Sequence, residues 1–422
     1  MPDFSKALRQ LRPGESAQRR LFQSENPVSS LVKQLAFMKG NSLRRSVSDT
    51  FFAGTEEVTP LGRHLVIRNV YGDDHYHGNV RPTRFSCADL QRFMVLMKTK
   101  GSVVSRDAIV FLDTETTGLQ GGTGMVPFLV GLGYFEGDEF HSLQYFIRDF
   151  DEEPSMLLAL GDLLQRFKLV VTYNGATFDL PLLETRFTMA RLSSPFAEMA
   201  HLDLLPGARR LWRHGYGSCR LVALESTIVA FSRGPDIPGA MIPRSYFEFL
   251  QGRGAVVMGS VLKHNVDDIV SLAALTVCAC DRVTREPAAL DSPLDLYSLA
   301  RIMENTAEWQ RAIDFYERAI GGGLEDPLLL KARENLAVLS RRTGNYSRSL
   351  ALCEGLMTHA TFSMVAYEGA AIHHERIAGN PLRALEIVEE GLARLAGLAE
   401  TKRWHTSLSA RRERLRQKAI QF

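Results

Sequence analysis

Residues 110–119, VFLDTETTGL, end an apolar run on two carboxylates one residue apart, Asp113 and Glu115. In an extended strand, positions i and i+2 point to one face, so both acids can reach one pocket. Two later stretches carry related chemistry. TYNGATFDLPLL places Asp179 just beyond a short apolar strand, at the opening of a helix. KHNVDDIVSLAAL places His264 and Asp268 four residues apart, on one face of a helix. Carboxylates brought together repel, and their burial is costly unless a cation compensates them. An oxygen-rich set of this kind suits Mg²⁺ or Mn²⁺. Two such ions could activate a water and stabilise the leaving oxygen of a phosphodiester. His264 could take the proton, since imidazole titrates near neutral pH.

Each motif alone admits a plainer reading. Asp-x-Glu at a strand end can be turn chemistry. Asp179 suits a helix N-terminus, where the macrodipole favours an acid. His264 can be a satisfied interfacial histidine, and Asp267-Asp268 a partly solvated face. The order of the elements favours a shared site: strand with Asp-x-Glu, strand and helix with Asp, then a late helix with histidine and aspartate.

The elements that must position these residues are legible from periodicity and turn residues. FFAGTEEVTPLGRHLVIRNVYG predicts a short hairpin, and RPTRFSCADLQRFMVLMKTK reads as a helix start with Ser86 or Asp89 as its N-cap. AIVFLDTE is a buried strand. Two strands follow, joined at Glu136-Gly137-Asp138. EEPSMLLALGDLLQRF is a helix, KLVVTYN a strand, and FDLPLLETRFTMARL a helix with Pro181 in its first turn. HLDLLPGARRLW, SCRLVALESTIV and PRSYFEFLQGR read as shorter helical pieces before the long helix MGSVLKHNVDDIVSLAALTVCACDRV. In HLDLLPGARRLW, Asp203 either faces the cleft or caps the helix. Arg209, Arg210 and Arg213 either meet phosphates or line a solvated face. Gly121 to Gly124 form a tight loop beside the acids rather than a phosphate loop, because a strand follows and no GKS or GKT occurs.

Beyond Pro287-Pro293 the pattern is helical throughout. EWQRAIDFYERAI, NYSRSLALCEGLM and NPLRALEIVEEGL align with Ala312, Ser349 and Ala384 at one small-residue position, 37 and 35 residues apart. That spacing is near the period of about 34 of tetratricopeptide repeats, which stack paired helices into a superhelix.

Bulk composition excludes several classes. Net charge is 50 − 48 = +2, with 45% apolar and 23% charged residues, as in ordinary globular proteins. Five cysteines without a CxxC pair fit neither a disulfide framework nor a zinc ribbon, and point to a reducing cytoplasm. No signal-peptide core and no apolar run long enough for a membrane span is present. The first fifty residues carry nine Lys or Arg against four Asp or Glu, and the last stretch is similarly basic. Basic ends can hold phosphate backbones or be solvated.

In this order the motifs resemble those of the DEDD superfamily of 3′–5′ exonucleases, which share a ribonuclease-H-like fold. DTETTGL is similar to the first motif, YNGATFDLPLL to the second and KHNVDDIVSLAAL to the third. The resemblance implies that Asp113, Glu115, Asp179 and Asp268 hold the metals and that His264 is the proton acceptor. It makes Asn174 and Phe178 supporting positions, with Asp203, Asn265 and Asp267 as further supporting candidates. More narrowly, DTETTGLQGGTG, DLLPGARRLW and HNxxDIxSLAAL resemble the YprB-like predicted exonucleases of bacteria, over residues 51–285. Some members also carry C-terminal repeats. In histidine-type members the histidine usually precedes the last aspartate by five positions; here the interval is four, as in tyrosine-type members.

The expected architecture is α/β: a basic arm over 1–50, then a ribonuclease-H-like mixed sheet flanked by helices over 51–286. An all-α tetratricopeptide-like domain over 290–422 follows, capped by a basic helix. The expected activity is metal-dependent 3′–5′ exonucleolytic hydrolysis of DNA or RNA, with two ions of Mg²⁺ or Mn²⁺. The expected partners are a nucleic-acid substrate and a protein held by the repeats, in the cytoplasm and away from membranes. The rival expectation is a nucleic-acid-binding module or scaffold whose repeats recruit a partner. Four retained acids argue against it, because a pure binder has no use for a repulsive cluster.

Overall fold

The computed structural model of the chain describes residues 52–102, 105–118, 124–396, 398 and 402–420. The expected basic arm with its VSSLVKQLAFM helix, and most of the Gly121 to Gly124 loop, lie outside the described residues.

Seven strands form one mixed sheet: β1 (Thr55–Thr59), β2 (Gly62–Tyr71), β3 (Ile109–Thr116), β4 (Pro127–Glu136), β5 (Glu139–Phe146), β6 (Leu169–Thr172) and β7 (Ala200–Asp203). Their order across the sheet is β1-β2-β5-β4-β3-β6-β7. β6 runs parallel to both β3 and β7, and the other neighbours are antiparallel. The β4–β5 turn falls at Gly137, whose φ of +58° suits glycine. The expected helical piece HLDLLPGARRLW is corrected at its start: Ala200–Asp203 pair with β6 as an edge strand. Four residues are too few for periodicity to distinguish strand from helix.

Helices cover both faces. They are α1 (Cys87–Met97), α2 (Glu153–Leu164), α3 (Asp179–Met189), α4 (Leu204–Tyr216), α5 (Leu221–Leu224), α6 (Ile242–Leu250) and α7 (Ala255–Thr284). Ser86 caps α1, its Oγ accepting from Asp89 N–H at 3.3 Å. β3 is buried along Ile109–Leu112 and becomes half-buried at Asp113 and Glu115, where it leaves the core.

Two glycines explain how α7 approaches the sheet. Asp113, Gly131 and Gln144 stand in one row across β3, β4 and β5, and Phe111, Gly133 and Ser142 in the next. A Cβ at Gly131 would lie 2.3 Å from Asn265 Oδ1, and one at Gly133 would lie 2.6 Å from Ile269 Cγ2. The sheet therefore has a trough in which α7 rests.

Seven further helices follow: α8 (Pro293–Asn305), α9 (Trp309–Gly321), α10 (Leu328–Arg342), α11 (Tyr346–Met357), α12 (Met364–Arg376), α13 (Pro381–Leu395) and α14 (Lys402–Ala419). Ala312, Ser349 and Ala384 are all buried where paired helices cross. The apolar core on the α1, α4 and α7 side runs without a break into Leu296, Leu299, Met303, Phe315 and Leu336. The first repeat is thus packed onto the sheet domain. The basic last helix buries Leu408 and Leu415, while Arg411, Arg414 and Lys418 converge on Glu375 and Arg416 pairs with Glu389. The charge of its second half is spent within the fold. Among the described residues, no helix is long and apolar enough to cross a membrane.

Gly131→Ala should lower stability by about 1–3 kcal/mol, because the added methyl would overlap the Asn265 amide, which cannot swing aside without breaking its bonds to Gln144 and Asp113. Thermal melting of the variant against wild type checks this, with Gly355→Ala as a control at a helical glycine where a Cβ meets nothing.

Candidate metal and catalytic site

β3 delivers Asp113 and Glu115 at the point where its face meets α7. Asp113 Oδ2 accepts from Asn265 Nδ2 at 2.9 Å, and Asn265 Oδ1 accepts from Gln144 Nε2 at 2.9 Å. Gln144 also donates to Leu262 O on α7, so a buried amide pair fixes the rotamer of Asp113. Gly131 makes room for this pair.

Asp179 arrives from the layer on the opposite face. It is 4% exposed, and its Oδ1 accepts from Thr114 Oγ1 at 2.5 Å. Its approach is set by the turn after β6, where Asn174 holds a left-handed φ of 69°. Asp203 clamps that turn, accepting from the N–H groups of Asn174 at 2.8 Å and Ala176 at 3.3 Å, and also caps α4 through Leu205 N–H at 3.0 Å. Of its two expected roles, Asp203 therefore takes the cap. Asn174 is exposed and Phe178 half-buried, and both shape the turn that carries Asp179.

α7 contributes the remaining groups. His264 Nε2 lies 3.4 Å from Asp268 Oδ2 and 3.9 Å from Glu115 Oε1. Asp267, one residue away, points elsewhere and pairs with Lys263. Of the three arginines on α4, Arg210 donates to Met97 O at the end of α1, a structural bond. Arg209 and Arg213 are exposed.

The electrostatics are those of crowded carboxylates. Burial, then the charges of Asp268, Asp179 and Glu115, push Asp113 well above the usual range. Burial and the charges of Asp268 and Asp179 do the same to Glu115. Asp179 is pushed up to about 6, chiefly by burial, despite the bond from Thr114. Each shift favours the protonated acid, and a bound cation would reverse it.

One cation inside the fold meets part of this charge. Arg233 is on the loop after a π-type turn at Glu225–Val229. Its side chain is 5% exposed and pairs bidentately with Glu225 at 2.6 and 2.7 Å. It also donates to Asp268 Oδ1 and lies 3.3 Å from Asp236 Oδ2. Burial works against its charge, but the bonds to Glu225 and Asp268 outweigh that and hold it ionised. Behind Glu225, Ser271 Oγ donates at 2.7 Å and is itself 2.7 Å from His77 Nε2. Burial pushes His77 down to about 3, so it is neutral.

Asp236 stands behind His264, both carboxylate oxygens 2.9 Å from Nδ1. Burial opposes its charge, yet the His264 bond and Arg233 hold Asp236 below the usual carboxylate range. Arg233 Nη1 also lies 3.1 Å from Nδ1, so an acid and a cation both meet that nitrogen, while Nε2 faces Glu115 and Asp268.

A divalent cation fits this donor set. Glu115, His264 and Asp268 each offer a ligand atom within 4.8 Å of the others. Asp113 and Asp179 add further carboxylate oxygens beside them, the hard oxygen-rich chemistry of Mg²⁺ or Mn²⁺. Glu225, Arg233, Asp236, Gln144 and Gly131 escape a reading by motif. The available signal lay in ESTIVAFSRGPDIPG, where Arg233 is the only Lys or Arg between Arg220 and Arg244 and has an acid on each side.

Comparisons with known proteins agree with this architecture. Residues 110–280 match the RNase H superfamily, and residues 296–328 match a tetratricopeptide repeat. The chain is 28% identical over 361 residues to the uncharacterized protein YprB of Bacillus subtilis, covering 82% of this chain and 85% of that one. A shorter stretch of 92 residues is 36% identical to DNA polymerase 1 of Aeropyrum pernix, covering 18% of this chain and 10% of the polymerase. Residues 110–280 are therefore an RNase H superfamily domain, followed by a tetratricopeptide repeat, in a chain similar to YprB over most of its length.

Proposed function

We propose that the protein is a divalent-metal-dependent nuclease, a 3′–5′ exonuclease hydrolysing phosphodiesters of DNA or RNA, with its repeats serving as a protein-docking arm. The observation that carries the reading is the convergence of Asp113, Glu115, Asp179 and Asp268 with His264 at the end of β3. The RNase H superfamily domain supports nuclease-like function, and the stretch shared with a DNA polymerase supports a nucleic-acid substrate.

Asp113, Glu115, Asp179 and Asp268 would hold Mg²⁺ or Mn²⁺, two ions in the reading favoured here. When bound, the cations supply Lewis-acid neutralisation of the phosphodiester charge. The chain's own residues do the rest. Asn265 and Gln144 keep Asp113 in one rotamer. His264 accepts the proton of the attacking water at Nε2, and Asp236, beside Nδ1, orients the ring and balances the charge that forms on it. Arg233 fixes Asp268 and Asp236 in one frame, so α7 and the preceding loop present a single arrangement.

Purified protein with Mn²⁺ should shorten end-labelled DNA or RNA from the 3′ end, and Asp113→Asn should reduce this to background. Full activity in Asp113→Asn, or no metal-dependent cleavage of any single- or double-stranded substrate, overturns the reading.

Raised carboxylates bind protons more tightly in the fold than in the unfolded chain, where they titrate near 4. Without metal, their stabilising contribution is therefore complete at low pH and is lost as pH rises through the folded values, about 6 for Asp179. The melting temperature in EDTA should fall between pH 5 and pH 8, and Mn²⁺ should restore it most at pH 8. Apparent Mn²⁺ affinity should rise about tenfold per pH unit for each proton released. Melting curves and Mn²⁺ titrations at several pH values check both.

Asp236→Asn should lower kcat about 10- to 100-fold with little change in KM, the size expected when the partner orienting a histidine is lost. Steady-state kinetics check this, and Asp236→Glu should recover part of the rate.

A further inference from the structure

The second and third helical pairs enclose a cleft of about 470 Å³. Val338, Arg341 and Arg342 come from the end of α10, Tyr346 and Ser349 from the start of α11, and Ile372, His373, Arg376 and Ile377 from the end of α12 and the residue after it. The volume falls in the range of ordinary ligand pockets. Three arginines line it and, among the described residues, no carboxylate does. Among the described residues, Arg341, Arg342 and Arg376 form no ion pair. The neighbouring cations do: Arg348 with Glu317, Arg383 with Glu386, and Arg411, Arg414 and Lys418 with Glu375.

Two of the cleft's arginines are held in place without acids. Arg342 lies over the Trp309 ring at 5.2 Å. Arg341 lies across Gly369, where a Cβ would sit 3.5 Å from its Nη1 and 2.6 Å from Cys353 Sγ. Glycine at 369 therefore opens the wall on which the guanidinium rests. Last-turn cations also face the carbonyl ends of α10 and α12, which explains why the fold tolerates them. That effect does not explain why they meet over one half-apolar cleft from which carboxylates are missing.

We infer that this cleft docks an acidic peptide segment of a partner protein, with carboxylates on Arg341 and Arg376 and aliphatic side chains against Val338, Ile372 and Ile377. Guanidinium groups match carboxylates bidentately. A nucleic-acid strand fits less well, because it needs a track of cations along its backbone. The stretch of the last helix beside α12 offers none, since Arg411, Arg412, Arg414, Arg416 and Lys418 are already paired with acids. The chain's own first fifty residues are net basic and do not complement the cleft.

The inference rests on reading the repeats as a protein-docking arm and is independent of the metal site. It is tested by displaying a random 12-residue peptide library to the full-length protein and to Arg341→Glu/Arg376→Glu, with wild-type melting of the variant confirmed first and Arg341→Ala/Arg376→Ala as a second variant. Peptides selected by the wild type should be rich in Asp and Glu, should bind about tenfold or more weakly to the charge-reversed protein, and should weaken with salt. Selected peptides without acids, or acidic peptides bound equally by the variants, overturn the cleft but leave a docking arm. No selection at all overturns both. Binding of a single-stranded oligonucleotide that the same substitutions abolish overturns the peptide assignment in favour of nucleic acid.

Discussion

Crowding several carboxylates into one buried place governs this molecule. Each acid in the cluster makes the others harder to ionise, and burial compounds the effect. A fold can accept that only by restraining the acids from outside. Asn265 and Gln144 restrain Asp113, Thr114 restrains Asp179, and Arg233 restrains Asp268. None of these restraints comes from the acids themselves, and each is delivered by a different element. The trough in the sheet at Gly131 and Gly133, the left-handed turn at Asn174 and the wide turn at Glu225 are the backbone devices that bring the restraints within reach.

The spacing of His264 illustrates the same logic. Four residues separate it from Asp268, which puts both on one helical face and their reactive atoms 3.4 Å apart. A histidine so close to an acid could present either ring nitrogen. Asp236 and Arg233 both meet Nδ1 on the other side of the ring, which leaves Nε2 toward Glu115 and Asp268. The unusual interval on α7 is therefore coupled to a carboxylate on a loop 28 residues upstream, and the two have to be considered together.

The sequence exposed the parts of this system that are local. Asp-x-Glu at the end of an apolar strand, Asp179 at a helix start and the His264–Asp268 pair each carry their geometry in the spacing of a few residues, because strand and helix periods are fixed. The hairpin at Gly137, the cap at Ser86 and the small-residue repeat at Ala312, Ser349 and Ala384 were legible for the same reason. What escaped was non-local. Gly131 matters because of Asn265, 134 residues later, and no local pattern ties them. Arg233 sits in a Gly- and Pro-rich loop, where charge is ordinarily solvated. β7 escaped because four residues carry too little periodicity, and its neighbour β6 alone defines it.

Charge is also sorted along the chain. In the sheet domain, acids outnumber the one buried arginine at the cluster, which leaves a site poised for cations. In the helical extension, the second half of the last helix is basic in sequence but paired with Glu375 and Glu389, so its composition overstates the charge it offers. Among the described residues, three arginines without an ion pair meet instead at the ends of α10 and α12, in stretches of ordinary composition. Net charge of a segment therefore misplaces the reactive surface here, and pairing locates it. A cation already bonded to an acid has little left to offer a partner, whereas Arg341 across a glycine and Arg342 over a tryptophan are held without an acid, with Arg376 beside the same cleft. The continuous core from α4 through α8 to α10 then joins that surface to the domain holding the acids, so a partner docked on the repeats would be tethered to the domain that carries the carboxylate cluster.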